Sequence, residues 1–161
     1  MKNKMTEKLF KLAYTDSMTE VQNRNAYEGR LKKLRKPNAN ISRISVIVVD
    51  INGLKEINDS YGHFCGDDAI KTVAKALRDT IGLKADIYRI GGDEFVCISE
   101  SNVLPYISQF KDTIYFINNK KLYNLSVSIG YSRFHEKYSK VIDDIICRAD
   151  EKMYNDKKSK K

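Results

Sequence analysis

86-DIYRIGGDEFVCIS-99 is the stretch that decides how the chain is to be read. Two short runs rich in β-branched and aromatic residues, 86-DIYRI-90 and 95-FVCIS-99, flank Gly91, Gly92, Asp93 and Glu94. That pattern predicts two strands joined by a tight corner. An Asn-Gly pair would turn the corner without setting like charges side by side. A solvated hairpin tip tolerates such a pair, but the pair becomes useful if another carboxylate ends a neighbouring strand. The glycines also have two readings, as positive-φ turn residues or as bare backbone that a ligand can approach.

Working outward, 43-RISVIVVDI-51 is dense in β-branched residues and predicts a buried strand ending at Asp50. Polar residues that read as a loop follow it. Ile70, Val73, Leu77 and Ile81 recur at helical spacing within 67–81. Beyond the hairpin, Leu104, Ile107, Phe110, Ile114 and Ile117 predict a helix, and 122-LYNLSVSIGYS-132 predicts a strand. A last helix over 142–156 carries Ile142, Ile145 or Ile146, Ala149 and Met153. Upstream, Met5 to Tyr14 is weakly amphipathic, and Asn23 to Arg35 offers Tyr27, Leu31 and Leu34 as an apolar stripe. The order strand, helix, strand, strand, helix, strand predicts an α/β fold: a ferredoxin-like βαββαβ core with additional terminal helices and helices on one face of the sheet. In that topology the first strand is central, and Asp50 approaches the Asp93–Glu94 corner.

Carboxylates from neighbouring strands repel one another unless a cation lies between them. Mg²⁺ takes such oxygens together with phosphate oxygens. Asp50, Asp93 and Glu94, with the backbone carbonyl of Ile51, form a candidate metal set. The plainer reading is that Asp50 caps the following turn. In 55-KEINDSYGHFCGDD-68, Asn58 and Asp67 suit guanine, whose N1–H and N2–H₂ donors a carboxylate can accept together. Either residue also serves as a cap or turn former, Asp67 especially, beside the start of a helix. Lys55, Lys157 and Lys161 are candidate phosphate neighbours. His63 has no serine or cysteine partner suggesting proton transfer and reads as structural. His63, Cys65, Asp67 and Asp68 make a poor zinc framework.

At 161 residues, 42% hydrophobic, the chain has enough apolar material for one domain. Three widely spaced Cys suit a reducing, cytoplasmic setting, and Cys97 and Cys147 are expected to pack as small hydrophobes. The charged start reads as neither a secretory leader nor a membrane segment. The formal charge of +8 suits a polyphosphate ligand. Few aromatics interleave with the basic clusters, so nucleic acid is not an expected partner.

Taken together, these motifs resemble the GGDEF family of diguanylate cyclases, related in fold to nucleotide cyclases and polymerase palms. The resemblance rests on 91-GGDEF-95, 16-DSMTEVQNR-24, 50-DINGLKEINDSYGHFCGD-67, 126-SVSIGYS-132 and 149-ADEKMYNDKKSKK-161. It implies a helical lead-in over 1–15 and a catalytic domain over 16–161. It also implies a homodimer that condenses two GTP molecules into cyclic di-GMP, with Mg²⁺ or Mn²⁺ as cofactor. By the resemblance, Asp50, Ile51 (through its carbonyl), Asp93 and Glu94 hold metal, Asn58 and Asp67 contact guanine, and Lys157 contacts phosphate. An upstream sensory domain absent from this chain is a further expected partner.

The chain departs from the family pattern at several places. Asn52 stands where a second aspartate is common, Leu54 where phenylalanine is common, and Lys161 where arginine is common. Gly82 and Ala85 fall on the two key positions of the family's Arg-x-x-Asp product-binding motif. These departures keep a second reading open, a catalytically weak module that responds to GTP or a cyclic dinucleotide.

Overall fold

The computed structural model describes residues 2–160, with side chains from residue 8 onward. Its elements run α1 (Lys2–Tyr14), α2 (Arg24–Leu34), β1 (Ser45–Ile51), α3 (Leu54–Tyr61), α4 (His63–Ile81), β2 (Asp86–Arg89), β3 (Glu94–Ser99), α5 (Leu104–Asn118), β4 (Val127–Arg133) and α6 (Ile142–Ser159). The four strands form one sheet in the order β2-β3-β1-β4, with every neighbouring pair antiparallel. This is the ferredoxin-like order, with β1 central and the β2–β3 hairpin beside it. An isolated parallel bridge between Gln22 and Tyr88 adds the segment before α2 to the outer edge.

Helices cover both faces of the sheet, where the sequence suggested one. Side chains alternate along a strand. Ile47, Val49 and Ile51 pack with Phe95, Cys97 and Ile129 against Val73 and Leu77 of α4 and Phe110 of α5. Val46 and Val48 turn the other way, joining Tyr88, Val96 and Ile98 against Tyr27 and Leu31 of α2 and Ile145, Ala149 and Met153 of α6. The terminal helices thus supply the second layer, which is why all seven residues of β1 are buried. Cys97 lies in this core, where burial pushes its thiol up to about 12. Cys147 is exposed on α6, contrary to the expectation that it packs inside.

Several boundaries also move. The polar stretch after β1 is the helix α3, and α4 begins at His63, four residues before the expected Asp67. Residues 122–126 lie outside β4. Helix α6 continues to Ser159, with the Asp144 carboxylate accepting from the amides of Lys140 and Val141 at its start.

Gly130 fixes how closely α6 approaches β4. A Cβ there would lie 1.8 Å from the Ala149 carbonyl oxygen and 2.4 Å from the Met153 nitrogen, both of them backbone atoms that cannot swing aside. Gly130→Ala is therefore expected to cost about 1–3 kcal/mol. Urea unfolding checks this as a lower midpoint with unchanged slope; an unchanged midpoint would show that α6 tolerates the displacement.

Candidate active site

Strand alternation also aims the functional side chains. Asp50 shares the face of Val46 and Val48, and Glu94 shares that of Val96 and Ile98, so both belong to the α6 side. The register sets Asp50 directly opposite Glu94. The Ile51 amide donates to the Asp93 carbonyl at 3.0 Å, joining the end of β1 to the acidic bend, and the Ile90 amide donates to the Glu94 carbonyl at 3.0 Å. Neither Gly91 nor Gly92 has positive φ among the described residues. A Cβ at Gly91 would lie 2.7 Å from Glu94 Oε2, the movable end of that side chain, so Glu94 would have to swing aside; a Cβ at Gly92 would meet nothing within 4 Å.

The bend is braced from the side. Arg89 donates through Nη2 to the Gly92 carbonyl at 2.8 Å and through Nη1 to Asp16 Oδ1 at 3.2 Å. Asp16 also accepts from the Thr19 amide and hydroxyl at 2.9 and 2.6 Å. Burial alone would raise the Asp16 carboxyl, but Thr19 and Arg89 outweigh it and hold it below its ordinary value. The 16-DSMT-19 motif therefore reaches the acidic turn through one guanidinium.

Asp50 is 5% exposed, and its Oδ1 accepts from Lys157 Nζ at 2.7 Å. Ala149, Met153 and Lys157 recur every four residues, so the stripe that seats α6 also delivers this ammonium. Burial pushes the Asp50 carboxyl up; Lys157 offsets part of that, and Asp93 and Asp150 push it up again. Glu94 is raised by burial and by Asp93, Asp50 and Asp150, with Lys157 opposing. The Lys157 ammonium is raised, chiefly by its bond to Asp50, against a smaller opposing effect of burial. Negative charge thus outnumbers positive on this face. A cleft of about 640 Å³ opens here, lined by Asp50, Glu94, Asp150, Tyr154, Lys157 and Lys158 among others.

Among the described residues, no three His, Cys, Asp or Glu side chains converge closely enough to enclose a metal ion. Asp50 and Glu94, register partners across β1 and β3, line one cleft with Asp150, and carboxylate oxygens are the hard donors that Mg²⁺ takes alongside phosphate oxygens. Lys157 already shows the demand for positive charge beside Asp50. By chemistry, all-carboxylate donors suit Mg²⁺ or Mn²⁺ better than zinc, whose sites draw mainly on Cys and His.

Lys157 is shared with a second cleft of about 410 Å³, lined by Asn52, Gly53, Glu56, Tyr61, Ser126 and Lys160 among others. Asn52 does not join the carboxylates. Its Nδ2 donates to Ser126 Oγ at 3.1 Å and its Oδ1 accepts from Ser128 Oγ at 2.7 Å, tying the β1 end to β4. Lys55 is exposed on α3 and lines neither cleft, and Lys161 lies outside the described residues. Lys160, passed over in the sequence, donates to the Val127 carbonyl and to Asp156 Oδ2, both at 2.7 Å.

Asn58 lies on α3 with Oδ1 buried and without a hydrogen-bond donor. Asp67 is half-buried in the second turn of α4, whose N-cap is Gly62, so it does not cap that helix. Asp50 is likewise no cap, because Gly53 holds the N-cap position of α3. His63 is exposed at the start of α4. Sequence reasoning also passed over Asp150, although its spacing of seven from Lys157 marks two turns of one helix face.

Comparison with known proteins identifies the family. The family described as "Diguanylate cyclase, GGDEF domain" matches residues 13–161. A diguanylate cyclase of Vibrio cholerae serotype O1 is 31% identical over 170 residues, covering 96% of this chain and 50% of the relative. The probable diguanylate cyclase DgcI of Escherichia coli K12 is 30% identical over 153 residues, covering 94% of this chain and 33% of the relative. The chain thus spans between a third and a half of the length of these relatives. In fold, it matches the coiled coil and GGDEF domain of DgcB from Caulobacter crescentus, solved with c-di-GMP, at a TM-score of 0.80 and 22% identity, over 98% of this chain and 87% of that one. With nearly the whole sequence matched and the acidic turn set against the end of the central strand, the chain belongs to the GGDEF-domain diguanylate cyclase family.

Proposed function

We propose that this chain is an active diguanylate cyclase that condenses two GTP molecules into cyclic di-GMP and releases pyrophosphate. The observation that carries the reading is Asp50, a buried carboxylate facing Glu94 across β1 and β3 and neutralised by Lys157. Asp50, Asp93, Glu94 and the Ile51 carbonyl would hold Mg²⁺ or Mn²⁺. When bound, the cation supplies charge neutralisation at the reacting phosphate and acidifies the attacking hydroxyl. Lys157, shared by both clefts, moves from Asp50 to phosphate oxygens as the nucleotide enters, and Lys160 adds positive charge beside the triphosphate. Asn58 and Asp67 take the guanine edge.

Each bond forms when the 3′-hydroxyl of one GTP attacks the α-phosphate of the other. The hydroxyl proton leaves, and the bond from the α-phosphorus to the bridging oxygen breaks to release pyrophosphate. One half-site positions one GTP, so turnover needs a homodimer with the two halves facing. The catalytic unit is 16–161, with 1–15 as its lead-in. Among the described residues no helix is long and apolar enough to cross a membrane, and a GTP-consuming domain of this kind belongs in the cytoplasm. An upstream sensory domain would set how the halves meet.

The test is GTP with Mg²⁺ or Mn²⁺ across a wide range of protein concentration, with the product identified by mass spectrometry. Cyclic di-GMP and pyrophosphate are expected, with specific activity rising with protein concentration. No turnover under any of these conditions would reject the reading. Because Asn52 leaves the site one carboxylate short of the common pattern, a GTP-responsive regulatory module is the second reading. Saturable nucleotide binding without turnover would favour it.

Product insensitivity is a separate expectation. The surface at the family's inhibitory positions is lined by Gly82, Leu83, Lys84, Ala85 and Asp86, and Arg89 is engaged with Asp16 and Gly92. Saturating cyclic di-GMP should leave the initial velocity nearly unchanged; strong non-competitive inhibition would contradict this.

A further inference from the structure

We propose that Gly66 is a positioning residue for nucleotide recognition, the gap in α4 that holds the Asn58 carboxamide in place for the base. The inference rests on the reading of Asn58 as a guanine contact and assigns the residue through which that contact is set.

A Cβ built on Gly66 would lie 2.0 Å from Asn58 Oδ1, 2.8 Å from Cγ and 3.2 Å from Nδ2. All three heavy atoms beyond Cβ of the Asn58 side chain therefore sit over the bare Cα. Glycine inside a helix costs about 1 kcal/mol relative to alanine, so its presence within α4 calls for a reason. Backbone conformation is not that reason, because Gly66 lacks positive φ. The neighbour that comes nearest is Asn58, which supplies each of the three nearest atoms around that Cβ.

The elbow between α3 and α4 fixes the other half of the geometry. Gly62 has φ 84 and ψ 160, a conformation essentially reserved for glycine. Its amide donates to the Asn58 carbonyl at 2.9 Å. The elbow thus holds the Asn58 backbone while Gly66 seats its side chain, and Asp67 follows immediately in the chain. Packing alone does not account for an amide in this seat. Asn58 Oδ1 is buried without a donor, which costs about 1–3 kcal/mol, and an apolar side chain would avoid that cost. The amide makes sense as a group kept for a ligand whose edge offers both donors and acceptors, as guanine does.

The experiment is a double-mutant cycle on the full chain. Affinities for a non-hydrolysable GTP analogue and its ATP counterpart are measured by calorimetry, and folding by thermal melting. Gly66→Ala is expected to weaken GTP-analogue binding about 10- to 100-fold, with ATP-analogue binding unchanged. Asn58→Ala is expected to weaken it similarly, and the double variant no further than Asn58→Ala alone, because Gly66 acts through Asn58. Should Gly66→Ala melt early, the double variant decides: truncating Asn58 vacates the space, so the affinity of the double variant should match that of Asn58→Ala and its melting temperature should equal or exceed it, alanine being the better helix former. A double variant that still melts early, or that loses the sum of the two single effects, would overturn the proposal. Wild-type affinity in Gly66→Ala beside a weakened Asn58→Ala would overturn it alone. Wild-type affinity in Asn58→Ala would overturn the guanine reading and the proposal together.

Discussion

Asp50→Asn is expected to lower turnover about 10³-fold while leaving the protein folded. The amide keeps the shape of the carboxylate but removes the buried charge that faces Glu94 from the end of β1. Losing a metal-ligating charge removes several kcal/mol of stabilisation at the reacting phosphate, and each 1.36 kcal/mol is tenfold in rate. Stability should respond in the opposite sense. Burial raises the folded-state Asp50 carboxyl above its ordinary value, and Lys157 offsets only part of this. A raised carboxylate contributes stability at low pH that is lost as pH rises through the folded value, so at pH 7 the charged form burdens the fold. The Asp50→Asn variant should melt at or above the wild-type temperature near neutral pH, and that advantage should shrink on acidification. Steady-state rates beside thermal melts check both halves. Wild-type turnover, or a variant that fails to fold, would contradict the assignment of Asp50 as a catalytic rather than a structural charge.

Asp67→Asn should reduce the preference for GTP over ATP about 10²-fold. A carboxylate accepts from both donors on the guanine edge, whereas an amide turns a donor toward one of them, so a favourable contact becomes an unpaired one. Sites built to hydrogen-bond a substrate discriminate strongly because the wrong partner leaves buried polar groups unsatisfied. The structure makes this substitution informative. Asp67 lies in the second turn of a helix capped by Gly62, so exchanging its carboxylate for an amide does not remove a cap. Competition between GTP and ATP gives the ratio, and melting confirms the fold. An unchanged ratio would remove Asp67 from the base site.

These expectations rest on features that were unevenly legible in the sequence. The hairpin at 91-GGDEF-95, the central β1 and the stripe Ile70, Val73, Leu77 and Ile81 could be read because strand alternation and helical spacing are local signals. The pairing of Asp50 with the acidic bend followed from topology. The second helical layer did not, because a fully buried strand such as 45-SVIVVDI-51 has no polar alternation to tell one covered face from two. Helix α3 was hidden because 54-LKEINDSY-61 is short and mostly polar, with Ile57 its one buried residue. The close approaches at Gly66 and Gly130 were invisible, since a glycine that makes room for a neighbour leaves no sign until that neighbour is known. Asn52 read as a lost carboxylate, whereas its two serine contacts give it work of its own at the β1–β4 junction.

The end of β1 and the acidic bend are expected to hold a divalent cation jointly, displacing Lys157 toward phosphate. Anomalous diffraction from crystals grown with Mn²⁺ and a non-hydrolysable GTP analogue measures this directly. An Mn²⁺ peak is expected between the Asp50 and Asp93–Glu94 carboxylates, with Lys157 Nζ moved from its 2.7 Å contact with Asp50 onto the nucleotide. Bound nucleotide with no peak at those carboxylates, and Lys157 still paired to Asp50, would contradict it.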